Sequence, residues 1–483
     1  MKWSDRQLAI FDAYENTRKN IAIEATAGSS KTTCIVECCR RTPPNKKVLF
    51  MAFNKSIAEE LRERLPSHID VNTFHSKGLR VLLSNFRIKP KINENKCFVI
   101  GKKILETKDM DVKQQIRYLL EIQIIWNYIR VNLITDYEKE IPGICIEKNI
   151  EFQERMVGDM EQIRNAWHKE MKKINSVKEI NIDFTDMLYF PYQLLDSEDF
   201  PKYDIVTLDE QQDANTLQKE LALRYIKKSG RFVVVGDSRQ CIYGFQGSSL
   251  EVFKSLQSYP NTIVLPLDIT YRCGKNIVEE VRKVFDNGIV AAPNAIDGIV
   301  RKGEFDEAEN GDFILCRNNL PLATVFLYLL EMGKKATIKG KDYGDALVAL
   351  VDKIRYIEDL DAMCEKKISE LKERGLTDIQ AKNNPSYVAF LEKCTILKIL
   401  YKNWGDMKKL EDNIKEIYKD DTEGIVLSTI HKSKGLEADR VFLLNRSLIP
   451  SKYANTEEAL YNEKCLLFVA ITRARKELVY CNV

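Results

Sequence analysis

The sequence has 483 residues, of which 44% are hydrophobic and 30% are charged, so it has the composition of a folded chain and not of a disordered one. At roughly 150 residues per domain, this length predicts about three domains or two elaborated ones. Lys and Arg outnumber Asp and Glu by 74 to 71, a formal net charge of +3. That balance neither indicates nor excludes a polyanionic partner, because a basic groove can be compensated elsewhere on the surface.

The cysteines and the apolar runs argue against two classes of protein. Twelve cysteines are too few for a disulfide-stabilised scaffold, and the first residues lack the apolar core of a secretion signal. We expect Cys38 and Cys39 on a helix as reduced, packed thiols. No apolar run approaches the roughly 20 residues that span a bilayer. The sequence therefore predicts a protein without a membrane segment. We expect a cytoplasmic protein, and the abundant Lys, Asn and Ile indicate a bacterial or phage-infected cell.

Short β-branched strands alternate with helical patterns along the chain, which predicts parallel sheets buried on both faces. The first series of predicted strands comprises residues 21–23, 48–50, 205–208 and 232–235. The second series comprises residues 263–265, 313–315, 425–427, 441–444 and 478–480. We therefore expect an α/β fold with a first domain at 1–85 and 181–262 and a second domain at 263–344 and 425–483.

Two long stretches between these strands predict helical insertions. Residues 86–180 are poor in strand signals. Within 86–118 there are nine Lys or Arg and four Asp or Glu, a local net charge of +5. This local excess of charge is compatible with a solvated helix face as well as with a polyanionic partner. Residues 345–424 place Leu347, Leu350, Val351 and Ile354 at helical spacing and form the second, smaller insertion.

A loop of small residues follows the first predicted strand and leads into an apolar helix. Such a loop presents backbone N–H groups to phosphate oxygens, while a Lys reaches the β- and γ-phosphates and the next hydroxyl reaches Mg²⁺. Ala25 and Ser30 stand where the strict phosphate-loop pattern has glycines, so an ordinary strand-loop-helix remains an alternative. The candidate ATP-binding residues are Ala27, Gly28, Ser29, Ser30, Lys31, Thr32 and Thr33.

The strand 205–208 ends in Asp209-Glu210, which places two carboxylates at the edge of a parallel sheet where ligands bind. Asp209, together with Thr32, is the candidate Mg²⁺ ligand, and Glu210 is the candidate base that orients and deprotonates a water. An acidic strand end also occurs by chance. In combination with the loop at Lys31, however, it predicts ATP hydrolysis.

Further motifs follow in a fixed order along nearly the whole chain. They are the segments 3–7, 50–58, 73–78, 183–188, 236–247, 269–273, 315–319, 429–437 and 463–475. In this order, with the loop and the acidic strand end, the chain resembles the UvrD/Rep/PcrA-like superfamily 1 DNA helicases. The resemblance implies two RecA-like P-loop NTPase domains, each carrying a mainly helical insertion, with ATP in the cleft between them.

The resemblance also assigns roles to residues at the nucleotide. Gln7 reads the adenine, Tyr271 stacks on it, and Glu437 binds the ribose. Gln240 senses the γ-phosphate, and Arg272 and Arg473 reach it from the second domain. The expected catalytic residues are Lys31, Glu210, Gln240, Arg272 and Arg473. A pair of arginines on a γ-phosphate stabilises transition-state charge.

A second set of residues is implied to contact single-stranded DNA. Two aromatic side chains of the segment 236–247 are expected to stack on bases, which is worth roughly 1 to 3 kcal/mol per base and tolerates any sequence. The implied DNA-binding residues are Phe53, Asn54, His75, Tyr243, Phe245, Thr429 and His431.

The implied activity is an ATP-dependent DNA helicase or translocase moving 3′ to 5′ on single-stranded DNA. Its expected partners are single-stranded DNA, single-strand/double-strand junctions and replication or repair proteins, and a monomer is expected. One alternative is a nucleic-acid-stimulated ATPase switch or clamp that does not unwind processively. Another is a catalytically weakened binding protein, which Ala25 and Ser30 would explain.

Overall fold

The computed structural model describes residues 3–106, 110–148, 150–242, 250–286, 288–373, 376–419, 423–454 and 456–483. The chain divides into two compact units. The first comprises Met1–Thr26 and Ser30–Asp268, and the second comprises Ala27–Ser29 and Ile269–Val483. Among the described residues, no helix is both long enough and apolar enough to cross a bilayer.

The first unit is built around a parallel sheet. Within the described residues it has six strands, β1 (Asn20–Ala25), β2 (Val48–Ala52), β3 (Ile69–Thr73), β6 (Tyr203–Leu208), β7 (Ile226–Gly236) and β8 (Thr262–Leu267), in the order β3-β2-β6-β7-β1-β8. All five residues of β2 are buried, as expected for a central strand covered on both faces. Since the strands are parallel, the loops that follow β1, β6 and β7 lie at the same edge of the sheet.

Helices cover this sheet, and their N-termini are often capped by the preceding residue. They are α1 (Asp5–Asn16), α2 (Lys31–Arg40), α3 (Lys55–Arg64), α4 (Phe74–Asn85), α9 (Asp186–Leu194), α10 (Thr216–Arg224) and α11 (Leu250–Gln257). Ser4 caps α1 and Thr73 caps α4, each as part of a reciprocal capping box. Cys38 and Cys39 lie buried on α2 as free thiols, as predicted.

The stretch between α4 and α9 is mainly helical. It contains α5 (Lys96–Ile104), α6 (Val112–Asn132), α7 (Tyr137–Glu147) and α8 (Arg155–Lys172), flanked by the strands β4 (Lys89–Ile92) and β5 (Glu179–Ile182). β4 and β5 pair in parallel, so the chain leaves and re-enters this region side by side. The helices fall within the predicted insertion 86–180, whose status as a separate domain stays a prediction.

A buried ion network joins these helices to the first turn of α9. Arg130 donates to both Asp183 oxygens at 2.9 and 2.6 Å and to Asp186 at 2.8 Å. Lys96 Nζ lies 2.5 Å from Asp186 Oδ2, and Trp167 Nε1 donates to Asp186 Oδ1 at 2.8 Å. Two cations therefore balance two carboxylates away from water, which buried charges require.

The second unit contains a larger parallel sheet. Within the described residues its seven strands are β11 (Ile299–Lys302), β12 (Phe313–Cys316), β13 (Ala336–Lys339), β14 (Tyr418–Lys419), β15 (Ile425–Thr429), β16 (Ala438–Leu444) and β17 (Ala474–Cys481), in the order β11-β17-β16-β12-β15-β13-β14. Two short strands, β9 (Ile269–Thr270) and β10 (Val290–Ala291), form a separate parallel pair.

Helices of the second unit fall into two groups. Three helices pack beside the sheet, α12 (Lys275–Arg282), α13 (Asn319–Glu331) and α19 (Glu457–Ile471). The others lie between β13 and β14 and are α14 (Lys341–Val351), α15 (Asp359–Lys372), α16 (Asp378–Asn383), α17 (Pro385–Trp404) and α18 (Met407–Ile417). This second group is mainly helical and begins at Lys341, four residues before the predicted start of the insertion.

The predicted membership of one strand is wrong. Residues 263–265 were expected in the second domain, but β8 pairs with β1 in the sheet of the first unit, with Ile263 opposite Ile21. An apolar run is compatible with either sheet, and β8 is an edge strand whose exposed Pro266 lacks the N–H that a central strand needs. The boundary between the units therefore lies at 268/269 and not at 262/263. The predicted α/β class with two parallel sheets is confirmed.

Candidate nucleotide and nucleic-acid sites

The loop between β1 and α2 has the backbone of a phosphate-binding turn. Gly28 and Ser30 both have positive φ angles, 71° and 62°. Ser30 is the N-cap of α2, yet its side chain makes no capping hydrogen bond. The N-terminus of this ten-residue helix is thus not closed by its own cap residue, which suits an anion at the positive end of the helix dipole.

The sheet brings the predicted phosphate and metal ligands together. Lys31 Nζ donates to Glu210 Oε2 at 3.0 Å, and Thr32 Oγ1 donates to Asp209 Oδ2 at 2.8 Å. The carboxyl ends of β1 and β6 meet at one edge of the sheet, so residues nearly 180 positions apart become neighbours. Glu210 adopts a left-handed conformation with φ 50°, a strained backbone of the kind that clusters at active sites.

Gln212 extends this contact to the loop after β7. Its Nε2 donates to Glu210 Oε2 at 2.5 Å, and its Oε1 accepts the N–H of Asp237 at 3.0 Å. The buried Asp237 in turn accepts from Gln240 Nε2 at 2.7 Å. A continuous chain of polar contacts therefore links Lys31, through Glu210, to the predicted γ-phosphate sensor Gln240.

The electrostatics of this edge fit a phosphate and a hard cation. Burial raises the pKa of Asp209 to about 6, and the neighbouring Glu210 carboxylate adds to the rise. Burial disfavours the charge of Lys31, but the Glu210, Asp237 and Asp209 carboxylates outweigh it and hold its pKa above the usual value. Among the described residues, no three His, Cys, Asp or Glu side chains form a metal cluster. Mg²⁺ needs no such cluster, because it binds through one or two protein oxygens, waters and substrate phosphates.

Gln7 is buried on α1, and its side chain takes part in the capping box at the start of that helix. Its Oε1 accepts the N–H of Ser4 at 3.0 Å in the capping box of α1. The predicted adenine contact of Gln7 is neither supported nor contradicted by this geometry and stays a prediction.

In the second unit, Arg272 forms an ion pair with Glu437. Glu437 also accepts from Arg475 at 2.5 and 3.1 Å, and Arg272 Nη1 donates to the Thr472 carbonyl at 3.2 Å. Burial opposes the charge of Glu437, but Arg272 and Arg475 outweigh it and lower its pKa. The predicted γ-phosphate and ribose contacts therefore lie side by side in this unit.

Arg473 is held differently from Arg272. Its side chain is only 1% exposed, and it donates to the Val469 and Leu436 carbonyls at 3.0 and 2.9 Å and to Thr472 Oγ1 at 3.2 Å. The guanidinium thus fixes the turn between α19 and β17.

A cavity of about 480 Å³ lies beside Tyr271 in the second unit. Its wall includes Arg272, Asn294, Arg475 and Lys476, and the Tyr271 ring is 46% exposed. The wall also includes Asp439, which pairs with Lys476 at 2.7 Å, so the cavity offers aromatic, amide and cationic groups together with one carboxylate. Its volume is that of a small-molecule site.

Two predicted DNA contacts of the first unit lie in the bend after β2, and a third lies at the start of α4. The Phe53 ring is 42% exposed, while Asn54 is the N-cap of α3 and accepts the Ile57 N–H at 2.8 Å. His75 lies in the first turn of α4, and burial lowers its pKa. The ring of Phe184, 51% exposed, meets His75 edge to face with 6.4 Å between centroids.

The predicted DNA contacts of the second unit follow β15. Thr429 ends that strand, and its Oγ1 accepts the Lys432 N–H at 3.4 Å. Burial lowers the pKa of His431 to about 4, and the charge of Arg317 lowers it further. Arg317 itself makes a bidentate pair with Glu463 at 2.6 and 3.0 Å. His431 is therefore neutral at pH 7. Tyr243 and Phe245 lie outside the described residues.

The sequence reasoning missed Gln212 and Phe184. Gln212 lies two residues after Glu210 in a short polar run, so its spacing was available as a signal. Phe184 belongs to the motif segment 183–188, but the sequence assigns it no role of its own. Its neighbours Asp183 and Asp186 are themselves buried, so no pattern in the sequence marks Phe184 as exposed.

The start of α2, where Lys31 and Thr32 bind Glu210 and Asp209, defines the first unit as a P-loop nucleotide-binding domain. The comparison with known protein families agrees with this assignment of a nucleotide-binding domain. The UvrD/REP helicase N-terminal domain matches residues 6–260, and the UvrD-like helicase C-terminal domain matches residues 160–482. The chain therefore belongs to the UvrD-like helicase family.

Several characterised relatives are similar over most of this chain. F-box DNA helicase protein 1 of Schizosaccharomyces pombe is 23% identical over 99% of the chain and 57% of its own length. The ATP-dependent DNA helicase Rep of Buchnera aphidicola is 22% identical over 97% of the chain and 94% of its own length. PcrA of Bacillus subtilis is 26% identical over 57% of the chain and 39% of its own length. The chain thus spans little more than half of the F-box relative and nearly all of Rep.

Proposed function

We propose that this chain is an ATP-dependent DNA helicase or translocase that moves 3′ to 5′ on single-stranded DNA. The continuous polar chain from Lys31 to Gln240 carries the proposal, because it joins a phosphate-type loop to a candidate base and a candidate sensor. The names of the Rep and PcrA relatives, both ATP-dependent DNA helicases, support it.

The residues of the first unit divide the chemistry of hydrolysis between them. Lys31 neutralises phosphate oxygens, and Glu210 accepts a proton from the attacking water. Thr32 and Asp209, whose oxygens lie 2.8 Å apart, fit the ligands of an ATP-bound Mg²⁺. Bound in this way, Mg²⁺ supplies charge neutralisation at the β- and γ-phosphates. Arg272 and Arg473 are the proposed γ-phosphate contacts from the second unit.

The proposed nucleic-acid interface of the first unit combines Phe53, His75 and Phe184. Exposed aromatic rings stack on bases of any sequence, which suits a protein that moves along a strand. His431 in the second unit is neutral at pH 7, so it binds DNA by stacking or hydrogen bonding and not by neutralising a phosphate. The interface is therefore selective for unpaired strands, including the single-stranded arm of a junction.

The remaining parts of the proposal come from the family. Replication or repair proteins as partners, a monomeric working form and a cytoplasmic location all stay predictions. A nucleic-acid-stimulated clamp remains the second candidate, since the helices α14–α18 of the second insertion cover only residues 341–417. A small second insertion offers less surface for a duplex.

ATP hydrolysis with and without single-stranded DNA tests the proposal. We expect DNA to stimulate the wild-type rate, and we expect Lys31→Ala to lower the stimulated rate by about 10²- to 10³-fold, the usual loss of one charge-stabilising group. Lys19→Ala, which removes an exposed lysine just before β1, is the matched control and should leave the rate unchanged. A wild-type rate that does not respond to DNA contradicts the proposal.

Strand displacement on tailed duplexes separates the two candidates. We expect ATP-dependent displacement from a 3′ tail and little from a 5′ tail. Displacement from the 5′ tail alone would overturn the polarity. DNA-stimulated hydrolysis with no displacement from either tail would favour the clamp.

A further inference from the structure

The carboxylate of Glu24 binds two segments that are far apart in sequence. Its Oε1 accepts the N–H and the Oγ–H of Ser238 at 3.1 and 2.7 Å. Its Oε2 accepts from Gln257 Nε2 at 2.5 Å. Ser238 begins the turn after β7, and Gln257 is the last residue of α11. One half-buried side chain therefore binds residues that precede and follow the predicted base-stacking residues Tyr243 and Phe245 in the sequence.

Glu24 also stands next to the phosphate loop. It is the penultimate residue of β1, which leads directly into the loop at Gly28. The same turn after β7 makes a second contact with this strand end, because Arg239 Nη2 donates to the Ala25 carbonyl at 2.9 Å. Arg239 Nε donates to Asp237 Oδ1 at 3.0 Å, which links this contact to the Gln240 sensor. Side-chain contacts of Glu24 and Arg239 therefore connect the end of β1 to the turn after β7.

We propose that Glu24 is a positioning residue that couples the nucleotide state of the phosphate loop to the affinity of the first unit for single-stranded DNA. The inference rests on the proposed function. Glu24 contacts Ser238 on one flank and Gln257 on the other, so the loop, the sensor turn and α11 shift together. Without its carboxylate, three donors lose their shared acceptor and the two flanks are no longer tied to β1.

The substitution Glu24→Gln tests whether the hydrogen bonds or the charge matter. A glutamine keeps an oxygen for the Ser238 donors, and its amide can donate to Gln257 once the Gln257 amide turns to present its oxygen. Glu24→Ala has no such replacement. Glu24→Gln should therefore behave like the wild type, whereas Glu24→Ala should not.

The experiment measures the dissociation constant of a labelled oligo-dT strand with and without a non-hydrolysable ATP analogue, together with DNA-free and DNA-stimulated hydrolysis. The ratio of the two constants is the coupling between the sites, commonly 5- to 150-fold. We expect Glu24→Ala to reduce this ratio about tenfold, into the lower part of that range or to one. DNA-stimulated hydrolysis should fall by a larger factor than DNA-free hydrolysis.

Two further variants keep the test independent of folding. Gln257→Leu removes one flank contact and leaves Glu24 in place, so it should lower the coupling ratio in the same direction. Ser258→Ala changes the neighbouring hydroxyl, which donates to the Lys254 and Ser255 carbonyls of α11, and should have no effect. Melting temperatures identify a variant that has lost its fold.

The outcomes separate this inference from the function it rests on. A wild-type coupling ratio of one, with no stimulation by DNA, would overturn both. A wild-type ratio well above one that persists in Glu24→Ala would overturn the role of Glu24 alone. Equal losses of DNA-free and DNA-stimulated hydrolysis, unrepaired by Glu24→Gln, would assign Glu24 a merely structural role.

Discussion

In the first unit a chain of hydrogen bonds connects the predicted phosphate contacts Lys31 and Gln240, whereas in the second unit Arg272 and Arg473 are held mainly by different partners. Lys31 is linked through Glu210 and Gln212 to the Gln240 sensor. Arg272 pairs instead with Glu437, and Arg473 is buried against carbonyl oxygens. The first arrangement is fixed by the ends of neighbouring strands. In the second arrangement Arg272 donates to the Thr472 carbonyl and Arg473 donates to the Thr472 hydroxyl, so both arginines contact one residue of the turn between α19 and β17.

This difference predicts unequal availability of the two arginines. Arg272 exchanges one anion for another when it leaves Glu437 for a phosphate. Arg473 would leave carbonyl and hydroxyl acceptors unpaired, and buried acceptors without donors cost roughly 1 to 3 kcal/mol each. Arg272 is therefore the better candidate for a direct γ-phosphate contact. Arg473 instead stabilises the turn between α19 and β17 in which it lies.

The largest expected effect follows from Arg272→Ala. We expect DNA-stimulated hydrolysis to fall about 10³-fold, which is the lower end for an arginine acting on a γ-phosphate and corresponds to about 4 kcal/mol. Steady-state hydrolysis at saturating ATP measures it. Arg282→Ala, which breaks an exposed pair with Glu279 on α12 of the same unit, is the matched control, with an expected change of less than about threefold because such a surface pair is weak. Equal losses in both variants would contradict a phosphate role for Arg272.

A second prediction concerns the buried charges of the first unit. Arg130→Met leaves Asp183 and Asp186 with only Lys96 as a counter-charge, and breaking a buried pair typically costs about 3 to 5 kcal/mol. Urea denaturation followed by tryptophan fluorescence measures the loss, since Trp167 lies in the network. Arg117→Met, which breaks a partly exposed helix pair with Glu121, should cost less than about 1 kcal/mol. Similar losses in the two variants would show that the network contributes no special stability.

The sequence predicted one part of this comparison well for a physical reason. Parallel strands bring their carboxyl ends to one edge, so the expectation of a parallel sheet alone placed Lys31 and Asp209-Glu210 at the same edge. The ion network around Asp186 could not be predicted, because its partners come from three different helices. Residues 263–265 could not be assigned to a sheet, because an edge strand carries the same apolar signal in either one. The role of Gln212 could not be predicted either, because it bonds to both Glu210 after β6 and Asp237 after β7, and only the folded structure brings these two loops together.

A third prediction uses the lowered pKa of His431 in the second unit. The folded pKa of about 4 lies below the usual 6.5, so the unfolded chain binds the extra proton as the pH falls. The stabilisation is present above pH 6.5 and is lost progressively between pH 6.5 and 4. Between pH 7 and pH 5 the loss is about 2 kcal/mol.

The variant His431→Gln isolates this contribution. It should flatten the fall in unfolding free energy between pH 7 and pH 5, measured by urea denaturation, relative to the wild type. His75 and His168 also have pKa values lowered by burial, but they are present in both proteins and cancel in the difference. An unchanged pH profile would show that His431 is accessible to protons in the folded state.

The smallest expected effect returns to the phosphate loop of the first unit. Ser30 has φ 62° and ψ 40°, a left-handed conformation that costs a residue with a Cβ roughly 1 to 2 kcal/mol. Ser30→Gly removes this strain and adds some backbone entropy to the unfolded chain, so we expect a net gain of about 1 kcal/mol in unfolding free energy. Ser67→Gly, at an exposed position without a positive φ, should instead be neutral or slightly destabilising. Because the serine already has the backbone that a glycine would adopt, the Michaelis constant for ATP should change less than twofold. A large fall in that constant would show that Ser30 weakens the loop, and would support the alternative of a catalytically weakened binding protein.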